Sequence, residues 1–129
     1  MTDSKTLSNL GRWAAFLGFS VLLATLFNLP PEKIPPMVAG VNDKLFHFLD
    51  FFLLTLLGFR AFAYSGQTLF HAKAGPKATG FSLGYGTLLE WNQRFIPGRA
   101  ASLWDVAANV LGSLAAFLFI FLSKKPQNH

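Results

Sequence analysis

Long apolar blocks separated by short polar connections are the main feature of the chain. The four blocks lie at about residues 12–29, 43–63, 78–96 and 103–122. Each is close to the length that an α-helix needs to cross a hydrocarbon core of about 30 Å, at about 1.5 Å per residue. Each is also apolar nearly all round, whereas a helix of a soluble bundle would keep a polar face. The pattern predicts an all-α fold, a bundle of four transmembrane helices.

Composition supports a membrane protein with one domain spanning residues 1–129. Of the residues, 52% are hydrophobic and 13% are charged, whereas soluble proteins have about 25% charged residues. The absence of cysteine excludes disulfides and a thiolate nucleophile. The net charge of +5 comes from bases at the block ends, so we expect no nucleic-acid partner. Membrane lipids are the expected partners, and the pattern leaves the oligomeric state open.

Two local features allow alternatives. The basic start and apolar middle of the first block also fit a signal peptide, but no small-x-small cleavage pattern follows promptly, so we expect a retained span. The third block carries Gly80 and Gly84 in a G-x-x-x-G spacing. Small residues at this spacing let two helix backbones approach closely. They fit either dimerisation or packing inside one bundle.

The basic residues predict the orientation in the membrane. Four crossings place both termini on one side, and cytoplasmic ends of spans are enriched in lysine and arginine. Seven of these residues fall on the side of the termini and four on the other, so both termini are predicted to be cytoplasmic in a multi-pass protein of the inner (plasma) membrane. The seven are Lys5, Arg12, Arg60, Lys73, Lys77, Lys124 and Lys125, and the four are Lys33, Lys44, Arg94 and Arg99.

Unusual polar residues gather at the outer ends of the predicted spans. Within each helix they recur three or four positions apart, which places them on one face. Such residues beside hydrocarbon carry a desolvation cost. They form either a buried pairing network that fixes helix register or a pocket for a headgroup, ion or substrate in the outer leaflet. The candidate pocket residues are Asp43, Lys44, His47, Glu90, Gln93, Arg99, Asp105 and Asn109.

The same residues resemble a known family. The second block offers D-K-x-x-H-F-x-x-F from Asp43, and the chain from Glu90 to Gly112 offers E-x-x-Q-x-F-x-P-x-R-x-x-S-x-x-D-x-x-A-N-x-x-G. In residue types and spacing this resembles the VanZ-like family of small membrane proteins. Two positions depart from that pattern. Asp50 stands where a small or apolar residue is usual, and Ala116 where a second glycine often follows.

The resemblance implies a bacterial envelope protein of helical membrane architecture. The founding member of the family is associated with resistance to the glycopeptide antibiotic teicoplanin, so a link to glycopeptide tolerance is an expectation for this chain. The resemblance implies no particular reaction, because one fold serves many functions.

The residues allow several mechanisms. In a binding mechanism, Lys44 and Arg99 receive an anionic group of a lipid or a lipid-linked cell-wall precursor, and the acids and His47 orient them. In an enzymatic mechanism, His47 is a general base or metal ligand beside Glu90 and Asp105. A proton-coupled transporter would need acids near the midplane, where only Asp50 lies, and a structural scaffold is a further alternative. We favour binding and predict no cofactor and no metal site. Without a ligand, Arg99 is predicted to pair with one of the two acids.

Overall fold

The computed structural model describes residues 4–29, 43–63, 73–96 and 103–123, and the regular structure in these ranges is entirely α-helical. The prediction of an all-α fold is confirmed. The helices are α1 (Ser4–Phe27), α2 (Asp43–Ala63), α3 (Ala74–Gln93) and α4 (Leu103–Ser123).

Two helices differ in their ends from the predicted spans. The first begins at Ser4, because the mostly polar residues before the first apolar block are also helical. The third begins at Ala74, four residues before the predicted start at 78, although Gly75 and Pro76 look like loop residues. Proline is tolerated in the first turn of a helix because the missing N–H has no helical partner there. Lys73 turns the chain into α3 with φ 55°.

Among the described residues, three helices contain segments that are long and apolar enough to cross a membrane. These are Leu7–Phe27, Lys44–Ala63 and Leu103–Ser123. The helix α3 is not among them, because glycine, serine and threonine lower its hydropathy. The three apolar segments give the chain the character of a membrane protein.

The helices alternate in direction, and one end of the bundle collects the polar contacts. There the Gln93 side-chain amide donates to the Phe27 carbonyl at 3.1 Å, and the Asn92 amide donates to Asn28. Lys44 meets Asp105 at the same end. The last turns of α1 and α3 therefore lie beside the first turns of α2 and α4. We call this end, marked by Phe27, Lys44, Gln93 and Asp105, the polar end.

The core is formed by α2 with its neighbours and contains a cluster of aromatic rings. The Phe16 ring of α1 contacts Phe62 of α2 at 5.5 Å and Phe81 of α3 at 5.1 Å between centroids. Trp13 packs into the same cluster, 5.4 Å from the Phe62 ring. Edge-to-face ring contacts of this kind stabilise helix packing beyond the area that they bury.

Glycines show where two helices approach most closely. A Cβ at Gly112 of α4 would lie 2.2 Å from the Phe48 carbonyl oxygen of α2, and one at Gly86 would lie 2.8 Å from the Phe51 ring. At Gly80 and Gly84 an added Cβ would meet nothing within 4 Å. Packing inside one bundle therefore does not explain the G-x-x-x-G pair, which faces outward.

Candidate functional site

Besides Gln93, four predicted pocket side chains from three helices are buried at the polar end. Their exposed fractions are 4% for His47 of α2, 3% for Glu90 of α3, and 4% and 2% for Asp105 and Asn109 of α4. The three- and four-residue spacing read from the sequence places each of them on an inward face. Polar side chains so far from water cost free energy unless they are partnered, so their arrangement has to be accounted for.

Three of these side chains form a compact group, which we call the triad: His47, Glu90 and Asp105. One imidazole nitrogen and one oxygen of each carboxylate all lie within 4.8 Å of one another. His47 Nε2 is 3.9 Å from Asp105 Oδ1. This distance is too long for a direct hydrogen bond. The triad thus brings one imidazole and two carboxylates from three helices into one buried cluster.

The His47 ring is oriented from two sides. Its Nδ1 lies 2.9 Å from Asn109 Oδ1. An amide oxygen only accepts, so Nδ1 carries the hydrogen and the lone pair of a neutral ring is on Nε2, on the side of Asp105. The Phe27 ring packs edge-on against the imidazole at 4.9 Å between centroids. Together these contacts hold Nε2 toward the acids.

Lys44 lies at the opening of this cluster. Its Nζ is 2.8 Å from Asp105 Oδ1, and its side chain is 48% exposed whereas that of Asp105 is 6% exposed. No hydrogen bond of good geometry reaches Asp105 Oδ1 from the described residues, although Nζ is close. A pair with one exposed partner adds little to stability. Its main consequence is positional, because it holds an ammonium between the buried acids and solvent.

The remaining predicted pocket residues have different places. Gln93 is buried, but its amide is engaged by the last carbonyl of α1, so it closes that helix end instead of facing the triad. Asp50 lies half-buried, three residues beyond His47 along α2. The side chain of Asp43 and the whole of Arg99 lie outside the described residues. The pairing of Arg99 with an acid therefore stays a prediction.

Some buried polar groups escaped the sequence interpretation. Ser82 and Ser113 are fully buried. Within the described ranges their hydroxyls have no hydrogen-bond partner, and the same holds for Asn109 Nδ2. The sequence did contain a signal for Ser113, because it follows Asn109 by four residues and so lies on the same polar face of α4. The role of Phe27 had no such signal, because it looks like any other apolar residue of α1.

Exposed residues around the polar end differ in character from this interior. Trp91 is 58% and Trp104 75% exposed, and the Arg94 guanidinium lies over the Trp91 ring at 4.9 Å. Exposed tryptophans near basic residues are typical of the membrane–water boundary. The site therefore has a carboxylate-rich interior and a basic rim. Its interior favours cations and its rim favours anions.

An uncharacterized protein of the fission yeast Schizosaccharomyces pombe is similar to this chain, with 34% identity over 113 residues. The matched part makes up 87% of this chain and 64% of the relative, so the chain spans less than two thirds of that protein's length. No protein-family model matches the chain. No solved structure matches it either.

Proposed function

We propose that the chain is a VanZ-like membrane protein that binds an anionic group at its polar end. The group is a lipid phosphate or the phosphate of a lipid-linked cell-wall precursor. The observation that carries the proposal is the place of Lys44, half exposed beside a buried carboxylate at 2.8 Å. An ammonium in that position can exchange Asp105 for a phosphate oxygen while staying at the boundary of the bilayer.

Helix direction supports the same ligand class. Both α2 and α4 begin at the polar end, and the first turn of a helix carries partial positive charge and unpaired backbone N–H groups. Arg94 adds a further exposed cation there. An anion at the rim would be attracted by these charges together, whereas a neutral headgroup would gain little.

The topology that we propose has four spans. Since α2 and α4 both begin at the polar end, the chain must return across the bilayer between Ala63 and Leu103. The 20-residue helix α3 runs in the opposite direction and is long enough for that return, about 30 Å. It packs against both α2 and α4, which supports the accommodation of a less apolar helix in the bundle. The seven-to-four distribution of basic residues then favours cytoplasmic termini and an outer polar end in the plasma membrane.

The choice between the two phosphate sources bears on glycopeptide tolerance. A relative from a fission yeast favours the phosphate of ordinary membrane lipids, because that group is common to all cell membranes. Tolerance to a glycopeptide follows only from the second source, the cell-wall precursor. We therefore propose the phosphate of an ordinary membrane lipid as the preferred bound group.

The test of phosphate binding compares two variants of α2, each of which lacks one basic side chain. Lys44→Gln removes the rim cation, and Arg60→Gln removes an exposed cation in the last turn of α2, at the opposite end. Purified protein in mild detergent is exposed to vesicles of phosphatidylglycerol or phosphatidylcholine. The lipid that stays bound to the protein is then extracted, and its amount is measured by mass spectrometry. We expect Lys44→Gln to lower phosphatidylglycerol retention by about tenfold, a loss of about 1.4 kcal/mol. Equal retention by Lys44→Gln and wild type, or an equal loss in Arg60→Gln, contradicts the proposal.

A second candidate function is favoured by one observation, the orientation of His47. Asn109 holds the Nδ1–H of this buried ring, so that Nε2 is the nitrogen that could accept a proton, as in a general base. The protein would then act as an enzyme on a lipid-linked substrate. His47→Gln would abolish turnover of such a substrate but leave its retention unchanged. A protein that is only a scaffold would show neither turnover nor selective retention.

A further inference from the structure

We infer that the triad is a binding site for a divalent transition-metal cation, with Zn²⁺ as the best match. His47, Glu90 and Asp105 come from three different helices, yet their ligand atoms lie within 4.8 Å of one another and each residue is less than 5% exposed. The sequence pattern led us to expect no metal, because the three residues are unconnected in spacing. Only the packing of α2, α3 and α4 brings them together.

The distances fit a shared cation. Zinc lies about 2.0–2.1 Å from histidine nitrogen and about 2.0–2.2 Å from carboxylate oxygen. At the tetrahedral angle, two ligand atoms of one zinc are about 3.4 Å apart. The 3.9 Å between His47 Nε2 and Asp105 Oδ1 is about 0.5 Å longer than that spacing. The ligand atoms of the triad lie within 4.8 Å of one another, so side-chain rotations that shorten these distances by up to about 1.4 Å would bring them to zinc spacing.

The contact behind His47 is the kind that metal-binding histidines make. A ligating imidazole almost always donates its other N–H to a carbonyl or carboxylate, which fixes the tautomer and the ring orientation. Here Nδ1 donates to Asn109 Oδ1 at 2.9 Å, and Nε2 lies on the side of Asp105. Asn109 is 2% exposed, so this partner is as buried as the ligand that it orients.

A second observation points to a ligand independently of the triad's composition. Asp105 Oδ1 is buried and accepts no hydrogen bond of good geometry from the described residues. A buried carboxylate oxygen normally accepts at least one such bond. Its nearest basic neighbour, Lys44, is half exposed and can withdraw toward solvent. A cation that enters the cluster would therefore bind that oxygen by displacing the Lys44 ammonium.

Charge and donor type select the metal. A neutral imidazole with two carboxylates carries a formal charge of −2, which one dication balances inside a poorly hydrated site. Mg²⁺ and Ca²⁺ prefer oxygen donors alone, whereas imidazole suits zinc and other transition metals. Three protein ligands leave a coordination position open. A phosphate oxygen of the bound lipid could occupy that position. This binding of phosphate by the metal rests on the proposed function, whereas the metal site itself does not.

The experiment first measures how much Zn²⁺ the protein binds and then whether lipid retention depends on Zn²⁺. Full-length protein in detergent is stripped with a chelator and titrated with Zn²⁺ alone, and bound metal is counted by elemental analysis. We expect about one Zn²⁺ per chain, and at least about a hundredfold weaker binding in His47→Gln, Glu90→Gln and Asp105→Asn. Asp50→Asn is a matched control on the same helix outside the triad and should bind as the wild type does. Co²⁺ in place of Zn²⁺ should show visible bands of a low-coordinate site that disappear in His47→Gln.

The outcomes separate the site from its role. Stoichiometric Zn²⁺ that is lost with each triad variant, while circular dichroism shows a folded helical protein, supports the site. No Zn²⁺ above the level of His47→Gln overturns it, and so does equal loss in Asp50→Asn. If a variant fails to fold, the Co²⁺ spectrum of the wild type decides, since a purely octahedral aquo-type spectrum overturns the site. Phosphatidylglycerol retention that needs Zn²⁺ supports the linked role, and retention without Zn²⁺ overturns that role alone.

Discussion

Gly112 of α4 lies so close to Phe48 of α2 that any Cβ at position 112 would come within 2.2 Å of the Phe48 carbonyl oxygen. A backbone atom cannot move aside as the end of a flexible side chain can. This contact sets the separation of α2 and α4, the two helices that carry His47 and Asn109. The hydrogen bond between those two side chains therefore depends on a glycine one turn further along α4.

The first prediction concerns this contact. Gly112→Ala should lower the free energy of unfolding in detergent by about 1–3 kcal/mol, the usual cost of overpacking. Gly84→Ala is the matched control, because an added Cβ there meets nothing within 4 Å. It should be neutral or slightly stabilising, since alanine favours a helix over glycine. Thermal melting followed by circular dichroism measures both, and equal melting of the two variants would show that the helices can separate cheaply.

The second prediction concerns Asn109. Asn109→Leu removes an interhelical hydrogen bond, which in membrane proteins is worth roughly 0.6 kcal/mol on average. We therefore expect nearly normal stability but loss of the fixed His47 tautomer, seen in nitrogen NMR shifts of the ring. Ser113→Ala, one turn away, should change neither property, because the Ser113 hydroxyl has no hydrogen-bond partner in the described part of the chain. An unchanged His47 signal in Asn109→Leu would mean that Asn109 does not orient the ring.

The third prediction separates a binding site from a register-fixing network. Glu90→Gln and Asp105→Asn nearly preserve the shape of the side chain. If the triad is a binding site, these variants should bind less Zn²⁺ or phosphatidylglycerol while the protein still folds. Removing one partner of a purely structural buried pair instead strands the other and costs about 3–5 kcal/mol. Lys44 is half exposed and can be rehydrated, so we expect the smaller effect for Asp105→Asn. The yield of folded protein and its melting temperature distinguish the two cases, and a collapse of folded yield in both variants would refute the binding site.

The fourth prediction concerns orientation in the membrane. The chain has no cysteine, so single cysteines report accessibility without background. With cytoplasmic termini, cysteines at Gly40 and Gly98 should react in intact cells with a thiol reagent that cannot cross the membrane, and cysteines at Ser65 and Gln67 should not. These positions fall in the connections between the described helices. The reverse labelling pattern would invert the proposed topology.

The helices themselves were predictable from the sequence, because long apolar runs leave few other solutions. Their ends were less so. The start of α3 was missed because Pro76 and the neighbouring glycine resemble a loop, whereas a first turn tolerates both. The outward face of Gly80 and Gly84 could not be read either, since small residues occur on both sides of that helix.

The candidate site was predictable in part. The polar stripes indicated that His47, Glu90, Asp105 and Asn109 point inward, because residues three or four apart share a helix face. Distances between helices were not readable, so the closeness of the triad had to come from the packing. Gln93 shares the stripe of Glu90, yet it contacts α1 because the last turn of α3 lies beside the end of that helix. The interaction of Arg99 stays a prediction.

The alternating order of the helices also has a consequence for biosynthesis. In the proposed four-span topology, a ribosome delivers α2 and α3 to the membrane before the residues of α4 exist, so His47 and Glu90 would enter the bilayer ahead of Asp105 and Asn109. Until the last helix arrives, the His47 ring would depend on water, lipid headgroups or the insertion machinery for the contact that Asn109 later makes. The arrival of α4 would supply that contact and close the bundle through Gly112 in the same step. A chain truncated before residue 103 would therefore carry unsatisfied polar groups that a cell's quality control can recognise.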